Sequence, residues 1–153
     1  MSALTYKSPG SLDEAVNMLV AASGDAKLLA GGTDLLVQLR MGTIHPKMII
    51  DIKKIPELTG IKEENGSYRI GASVSGAVLG EHAGMVGAWP GVVEALELIG
   101  SSQIQGRATM GGNLCNASPA ADAVPAMIAA DAVCTIAGPN GQREARVEDI
   151  VTG

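Results

Sequence analysis

The chain has 153 residues, 46% hydrophobic and 18% charged, which is enough for one ordinary domain or two small subdomains with a real core. Its formal net charge of -5 and the lack of a basic cluster exclude a surface that neutralises nucleic-acid phosphates. Cys115 and Cys134 give no disulfide framework, His45 and His82 have no second metal ligand nearby, and no signal-peptide or membrane-spanning pattern occurs. We expect a reduced, cytoplasmic protein without a metal site or membrane insertion.

The first predicted element is a helix. Ser11 and Glu14 form a Ser-x-x-Glu capping box, in which each side chain can accept a hydrogen bond from a backbone N–H group. Aliphatic residues then recur at helical spacing up to Val20, and Gly24 follows where a helix commonly ends. We therefore predict an amphipathic helix between Ser11 and Gly24.

A strand, a second helix and another strand follow. Residues 27–30 predict a short buried strand that a glycine pair ends, and Thr33 is expected to cap a helix that ends near Gly42. Residues 47–52 predict the next strand. A strand, helix and strand within so few residues imply a right-handed parallel crossover, so we predict a small α/β unit over residues 1–55.

Beyond Pro56 the pattern changes to antiparallel strands and short helices. The pair Asn65-Gly66 separates two strand-like runs, which is a strong signal for a hairpin. Residues 74–85 predict a short helix and a turn, and residues 89–99 predict a longer helix with an apolar side.

The last part of the chain again combines a predicted helix with antiparallel strands. Residues 123–130 predict a helix with Pro125 in its first turn, where proline is tolerated. Residues 132–137 predict a strand, and Asn140-Gly141 marks a second hairpin. We therefore predict a second subdomain over residues 56–153 and an α+β fold class overall.

Residues 109–122 are richer in small and hydrogen-bonding residues than the rest of the chain. A helix would lose roughly 1 kcal/mol at each of Gly111 and Gly112 relative to alanine, and Pro119 removes a donor that a central strand needs. We therefore predict a loop. Paired glycines allow a ligand to approach the backbone, and hydroxyl and amide groups surround them. The composition is that of a phosphate and sugar site with the candidates Thr109, Asn113, Asn116, Ser118 and Asp122.

A similar glycine-rich turn, residues 30–34, lies about half of the chain away, and each turn is expected to open a helix. The first N–H groups of a helix lack internal partners and carry a partial positive charge, so each turn can bind an anion. Two such turns suit a pyrophosphate. The alternatives are that the glycines only make turns and that Asp34 and Asp122 are plain helix caps. Neither the P-loop pattern nor the Gly-x-Gly-x-x-Gly pattern of dinucleotide-binding folds occurs.

Two segments resemble the FAD motifs of the molybdenum hydroxylases. They are Leu-Ala-Gly-Gly-Thr-Asp-Leu-Leu at residues 29–36 and Thr-x-Gly-Gly-Asn-x-x-x-Ala-Ser-Pro-x-x-Asp at residues 109–122. The resemblance is to the FAD-binding medium subunits of xanthine dehydrogenase, carbon monoxide dehydrogenase and nicotinate dehydrogenase, and it extends along the whole chain. Asp51-Ile-Lys-Lys-Ile-Pro-Glu-Leu and Ile99-Gly-Ser-x-Gln-Ile also fit the family.

This resemblance implies a two-subdomain FAD-binding fold of the vanillyl-alcohol-oxidase (PCMH) type, with a small parallel α/β unit followed by an antiparallel α+β unit. FAD would lie extended between them, with its pyrophosphate on backbone N–H groups of the first turn and its adenosine half beside residues 27–30. The residues that the resemblance places at FAD are Lys27, Leu28, Leu29, Ala30, Gly31, Gly32, Thr33, Asp34, Leu35, Ile99, Thr109, Gly111, Gly112, Asn113, Asn116, Ser118 and Asp122.

In this family the flavin accepts electrons from 2Fe-2S clusters on a small subunit and passes them to NAD+ or another acceptor, while a molybdopterin large subunit oxidises the substrate. The resemblance therefore implies an oxidoreductase component of a hetero-oligomer that is not catalytically complete alone. The alternative is a nonredox nucleotide-binding or assembly module.

Two departures from the family pattern affect these expectations. Gln105-Gly-Arg-Ala108 stands where family members usually place Asn-Arg-Gly. Family subunits also continue, beyond the position of Gly153, through a last strand and a separate C-terminal domain. We therefore expect weaker retention of FAD than in full subunits.

Overall fold

The structure is a computed structural model that describes residues 4–151. Its first part is a three-stranded parallel sheet in the order β1-β3-β2, with β1 at Thr5–Lys7, β2 at Ala26–Leu29 and β3 at Met48–Asp51. Helices α1 (Leu12–Ala21) and α2 (Leu35–Met41) connect the strands. The predicted strand, helix and parallel strand are confirmed, but the expectation that the first of these strands is buried is wrong, because β2 lies at the edge of the sheet with Lys27 and Leu28 exposed. Strand β1 escaped prediction because three residues carry too short a pattern.

The residue that caps α1 is the one predicted from the sequence, but the residue at the cap of α2 is not. Ser11 Oγ accepts a hydrogen bond from the N–H of Glu14 at 3.2 Å, whereas the Glu14 carboxylate accepts from Gly10, one residue before the cap. The expectation that Thr33 caps α2 is wrong, because Asp34 occupies that position with helical dihedral angles and makes no side-chain capping bond. Gly42 ends α2 in the left-handed region, as predicted.

Two hairpins form the antiparallel part. Strands β4 (Ile61–Glu64) and β5 (Ser67–Ile70) are joined by Asn65-Gly66, whose φ angles are both positive, as a type I′ turn requires. Strands β6 (Val133–Gly138) and β7 (Gly141–Arg146) form the second hairpin. Both predicted hairpins are confirmed, although the second turns at Pro139-Asn140 and not at Asn140-Gly141, because Gly138 pairs with Gly141.

Short helices surround these hairpins. The sequence predicts one short helix and a turn over residues 74–85, but the structure has two helices between Gly76 and Ala88. The longer helices predicted after Trp89 and Asp122 are present. The α+β class is confirmed. The elements are a 3-10 helix at Pro56–Leu58 and the α-helices α3 (Gly76–Gly80), α4 (Ala83–Ala88), α5 (Pro90–Glu97), α6 (Ser102–Gln105), α7 (Met110–Asn116), α8 (Ala123–Ala129) and α9 (Val147–Ile150).

Helix α7 overturns the prediction that residues 109–122 form a loop; only residues 117–122 are irregular. The Thr109 hydroxyl caps the helix by accepting from the N–H of Gly112 at 2.9 Å, and Leu114 is buried in the core. A cap contributes about 1 kcal/mol and a buried leucine about 1.5–3 kcal/mol, which offsets the roughly 2 kcal/mol that the two glycines cost.

The buried side chains form two clusters that divide along the chain. The first lies between Leu12 and Leu58 and is centred on Ile50 and Ile55. The second lies between Ile61 and Val151 and unites α5, α7 and α8 with the hairpins. A domain boundary at residue 55 stays a prediction. No helix within residues 4–151 is both long enough and apolar enough to cross a bilayer.

Candidate functional site

The structure brings the two glycine-rich turns together, although about half of the chain separates them in sequence. Gly31 is buried, and a Cβ added there would lie 2.0 Å from the carbonyl oxygen of Arg107 and 3.1 Å from Cα of Ala108. Farther along, Gln38 Nε2 on α2 donates to Asn116 Oδ1 on α7 at 3.4 Å. Residues 30–34 and 107–116 therefore form one continuous surface.

An ion pair fixes the first turn. Lys53 Nζ donates to the carbonyl oxygen of Ala30 at 3.0 Å and lies 2.8 Å from Asp51 Oδ1. Asp51 is 8% exposed and also accepts from the Tyr6 hydroxyl and from the N–H of Lys53. Burial alone raises the pKa of Asp51, but the hydrogen bonds from Lys53 and Tyr6 and the Lys53 charge outweigh it and leave the pKa lowered.

Asp51 and Lys53 are not among the residues predicted from the sequence to form the site. A usable signal was present: an aspartate ends an otherwise aliphatic strand, and a lysine follows two residues later. A buried carboxylate at such a position needs a partner, and the nearest cation in sequence is the residue that provides it.

The first turn presents unpaired backbone donors. Within residues 4–151, no protein acceptor is found for the N–H groups of Gly32, Thr33 and Asp34, and the first backbone bond of α2 runs from Leu36 to the carbonyl of Gly32. Gly32 has a φ of +81°, which glycine adopts without strain. These N–H groups can bind an anionic ligand.

In the second turn, part of the predicted polar set is used inside the protein. Asn113 Oδ1 accepts from the N–H of Ala123 at 3.3 Å, and Ser118 Oγ accepts from the N–H of Ala120 at 3.2 Å. Asp122 is exposed at the start of α8 and makes no side-chain capping bond. The Asn113 NH2 group and the Asp122 carboxylate have no protein partner in the described part of the chain and remain open to a ligand.

The remaining predicted residues lie farther apart. Lys27 and Leu28 are exposed on β2, which is an edge strand of the parallel sheet, and Leu35 begins α2. Ile99 follows α5 and packs against the second core cluster, which also contains Leu114 of α7.

A cleft of about 260 Å³ opens where the two turns meet. Of the residues predicted to bind the ligand, only Gly31 lines it, so this cleft is not the whole predicted site. The cleft is lined by Gly31, Lys53, Thr59, Ser73, Val74, Ser75, Val78, Gly106 and Arg107.

Residues 2–153 match the family described as the FAD binding domain in molybdopterin dehydrogenase. The chain is 36% identical over 148 residues to the carbon monoxide dehydrogenase medium chain of Hydrogenophaga pseudoflava, covering 97% of this chain and 52% of that protein. It is 37% identical over 150 residues to the xanthine dehydrogenase FAD-binding subunit of Escherichia coli O157:H7, covering 97% and 51%. The chain thus spans about half the length of these relatives.

Solved structures share the fold. A chain of carbon monoxide dehydrogenase from Hydrogenophaga pseudoflava superposes with a TM-score of 0.92 at 36% identity, covering 95% of this chain and 50% of that one. A chain of quinoline 2-oxidoreductase from Pseudomonas putida 86 gives a TM-score of 0.94 at 27% identity, covering 99% and 53%.

Proposed function

The chain belongs to the family of FAD-binding domains in molybdopterin dehydrogenases, and on this premise we propose that it binds FAD across its two glycine-rich turns as part of a molybdenum hydroxylase. The observation that carries the proposal is the direct approach of Gly31, in the first motif, to Arg107 and Ala108, which immediately precede the second motif. A diphosphate needs donors from more than one segment, and two adjoining turns supply them.

The residues present fit the cofactor. The N–H groups of Gly32, Thr33 and Asp34 would hold the diphosphate, since they have no protein acceptor within residues 4–151. Asn113 and Asp122 would contact the ribitol or flavin through an amide N–H and a carboxylate. Thr109 and the capped start of α7 would position Gly112 against the ligand. Bound FAD supplies the redox chemistry, because flavins exchange one or two electrons.

We propose the finer role that the family resemblance implies, and the names of the relatives, which are medium or FAD-binding subunits of dehydrogenases, support it. The chain would form part of a hetero-oligomer in which electrons from a 2Fe-2S small subunit reach FAD and leave to NAD+ or another acceptor. A molybdopterin large subunit would oxidise the substrate. The described chain contributes binding and orientation of FAD to this sequence of transfers.

Flavin uptake by the 153-residue chain tests the proposal. The purified chain is mixed with FAD, passed over a gel-filtration column and examined for flavin absorbance that elutes with protein. Protein-bound flavin is the expected result, and Gly112→Val should abolish it while the circular dichroism spectrum stays unchanged. Protein that elutes colourless after incubation with excess FAD contradicts the proposal and favours a nonredox assembly module.

The electron acceptor needs a separate test on the assembled complex. NADH added without oxygen should bleach the flavin absorbance if NAD+ is the acceptor, because the transfer is reversible. Bleaching by dithionite alone would rule NAD+ out and favour a different acceptor.

A further inference from the structure

Two asparagines of the chain precede a glycine, and both lie in hairpin turns. Asn65 is followed by Gly66 and Asn140 by Gly141, whereas the other asparagines precede Met, Leu or Ala. Asparagine is a labile side chain when the next backbone nitrogen can attack its amide carbon, and a glycine leaves that nitrogen uncrowded. All four residues are exposed, and a Cβ added at either glycine meets nothing within 4 Å. Exposure and residue type therefore do not distinguish the two pairs.

The register of the two hairpins does distinguish them. In the first hairpin the closing pair is Glu64 with Ser67, which makes Gly66 the third of the four turn residues. In the second hairpin the closing pair is Gly138 with Gly141, which makes Gly141 the fourth. In such a turn the N–H of the fourth residue donates to the carbonyl of the first, and the N–H of the third makes no turn bond.

This difference decides whether the attacking nitrogen is free. The N–H of Gly141 belongs to the closing pair, where it faces the carbonyl oxygen of Gly138. The N–H of Gly66, by contrast, has no protein acceptor among residues 4–151. Attack by Gly66 therefore breaks no hydrogen bond of the attacking nitrogen, whereas attack by Gly141 breaks the one that closes the second hairpin.

We propose that Asn65 is a site of spontaneous deamidation and that the second turn protects Asn140. The nitrogen of Gly66 forms a bond to Cγ of Asn65, and the Cγ–Nδ2 bond breaks, so that Nδ2 leaves as ammonia with the proton from Gly66. The product is a cyclic succinimide. Solvent water then opens the ring at either carbonyl carbon, which gives aspartate or isoaspartate at position 65. Neither step uses FAD, so the site is independent of the proposed function.

Isoaspartate at position 65 would alter the first hairpin. It adds a carbon to the backbone of a two-residue turn, and the length of that turn sets the register of β4 and β5. These strands carry Ile61, Tyr68 and Ile70, which pack against the second core cluster. We therefore expect aged protein that contains isoaspartate to melt at a lower temperature than fresh protein.

Ageing of the full chain in neutral buffer tests the assignment. Samples taken over days are digested with trypsin, and mass spectrometry follows the replacement of NH2 by OH at each asparagine. Cleavage after Lys62 and Arg69 separates Asn65 from every other asparagine. We expect Asn65 to deamidate about fivefold faster than Asn140, because a hydrogen bond such as that of Gly141 contributes about 1 kcal/mol.

The chain unfolded in guanidinium chloride is the control. Unfolding removes the closing pair of the second hairpin, so the rates at Asn65 and Asn140 should converge there. The proposal is overturned if Asn140 reacts as fast as Asn65 in the folded protein, or if neither reacts. It is also overturned if unfolding leaves the ratio of the two rates unchanged.

Variants at the two asparagines test the consequence for stability. Asn65→Gly removes the reactive amide and keeps a residue that adopts the positive φ of this turn. Its melting temperature should not fall with age. Asn140→Gly is the matched control, and it should still deamidate at Asn65 and lose melting temperature like the unmodified chain. An equal loss in aged Asn65→Gly and aged unmodified protein would overturn the link between position 65 and stability.

Discussion

The two glycine-rich turns look alike in sequence but use their glycines differently. In the first turn, Gly31 allows the carbonyl of Arg107 to approach, and Gly32 adopts a φ of +81°. In the second turn, a Cβ added at Gly111 would lie 2.8 Å from both Cβ and the carbonyl oxygen of Ala72, whereas one added at Gly112 would meet only the Thr109 hydroxyl, also at 2.8 Å. Three of the four glycines therefore serve the protein's own packing or backbone, and Gly112 alone has only one side-chain neighbour, the capping hydroxyl of Thr109.

The turns also differ in what fixes them. The first depends on charge, through the bond from Lys53 to Ala30 and the pairing of Lys53 with the buried Asp51. The second depends on a neutral cap, in which the Thr109 hydroxyl accepts from Gly112. A glycine pair in a sequence is thus not evidence of a ligand in itself, and the two turns should respond differently to substitution and to acid.

Gly31→Ala should have the largest effect. Its Cβ would meet backbone atoms, which cannot rotate away, so we expect a loss of about 3 kcal/mol in the free energy of unfolding and a loss of FAD binding. Urea denaturation measures the first and flavin titration the second. Gly10→Ala, which meets no atom within 4 Å, is the control. A Gly31→Ala protein as stable as this control would show that the turns do not touch.

Asp51→Asn should cost about 2 kcal/mol, because it removes a charged acceptor from Lys53 and Tyr6. The folded pKa of Asp51 lies below its usual 3.8, so its stabilisation is present above pH 3.8 and lost as the pH falls through the folded pKa. Melting temperatures measured against pH should therefore converge for the two proteins in acid. Asp25→Asn, in an exposed pair with Lys47, should change stability by less than about 0.5 kcal/mol.

Gly111→Ala should cost less, because two effects oppose each other. Alanine favours the helix by about 1 kcal/mol, while crowding against Ala72 costs about 1–3 kcal/mol. We expect a net loss of about 1 kcal/mol, measured by thermal denaturation. A more stable Gly111→Ala protein would mean that α7 does not press against Ala72.

Gly112→Ala should have the smallest effect on stability, within about 0.5 kcal/mol, because better helix propensity offsets a disturbed Thr109 cap. It should still weaken FAD binding, since the added methyl group crowds the Thr109 hydroxyl that positions Gly112 against the proposed ligand. Gly87→Ala on α4, which has no neighbour within 4 Å, should raise stability by about 0.5–1 kcal/mol without touching FAD binding. Unchanged flavin affinity in Gly112→Ala would remove this glycine from the site.

Local patterns predicted most of the elements. Helix α1, both hairpins and the parallel pair β2–β3 follow from caps, turn residues and apolar spacing, which act over a few residues. The prediction failed at α7, where the local cost of two glycines is outweighed by burial of Leu114 in a distant core. It also failed at the cap of α2, because Thr33 and Asp34 are equally suitable capping residues by type.

The sequence by itself determined the α+β class, the two motifs and, through resemblance, the ligand, because these depend on residue type and spacing. Only the tertiary structure decided why each glycine is there and that Asp51 and Lys53 hold the first turn. These facts depend on segments up to about half the chain apart, whose approach is fixed by packing of the two cores and not by any local pattern.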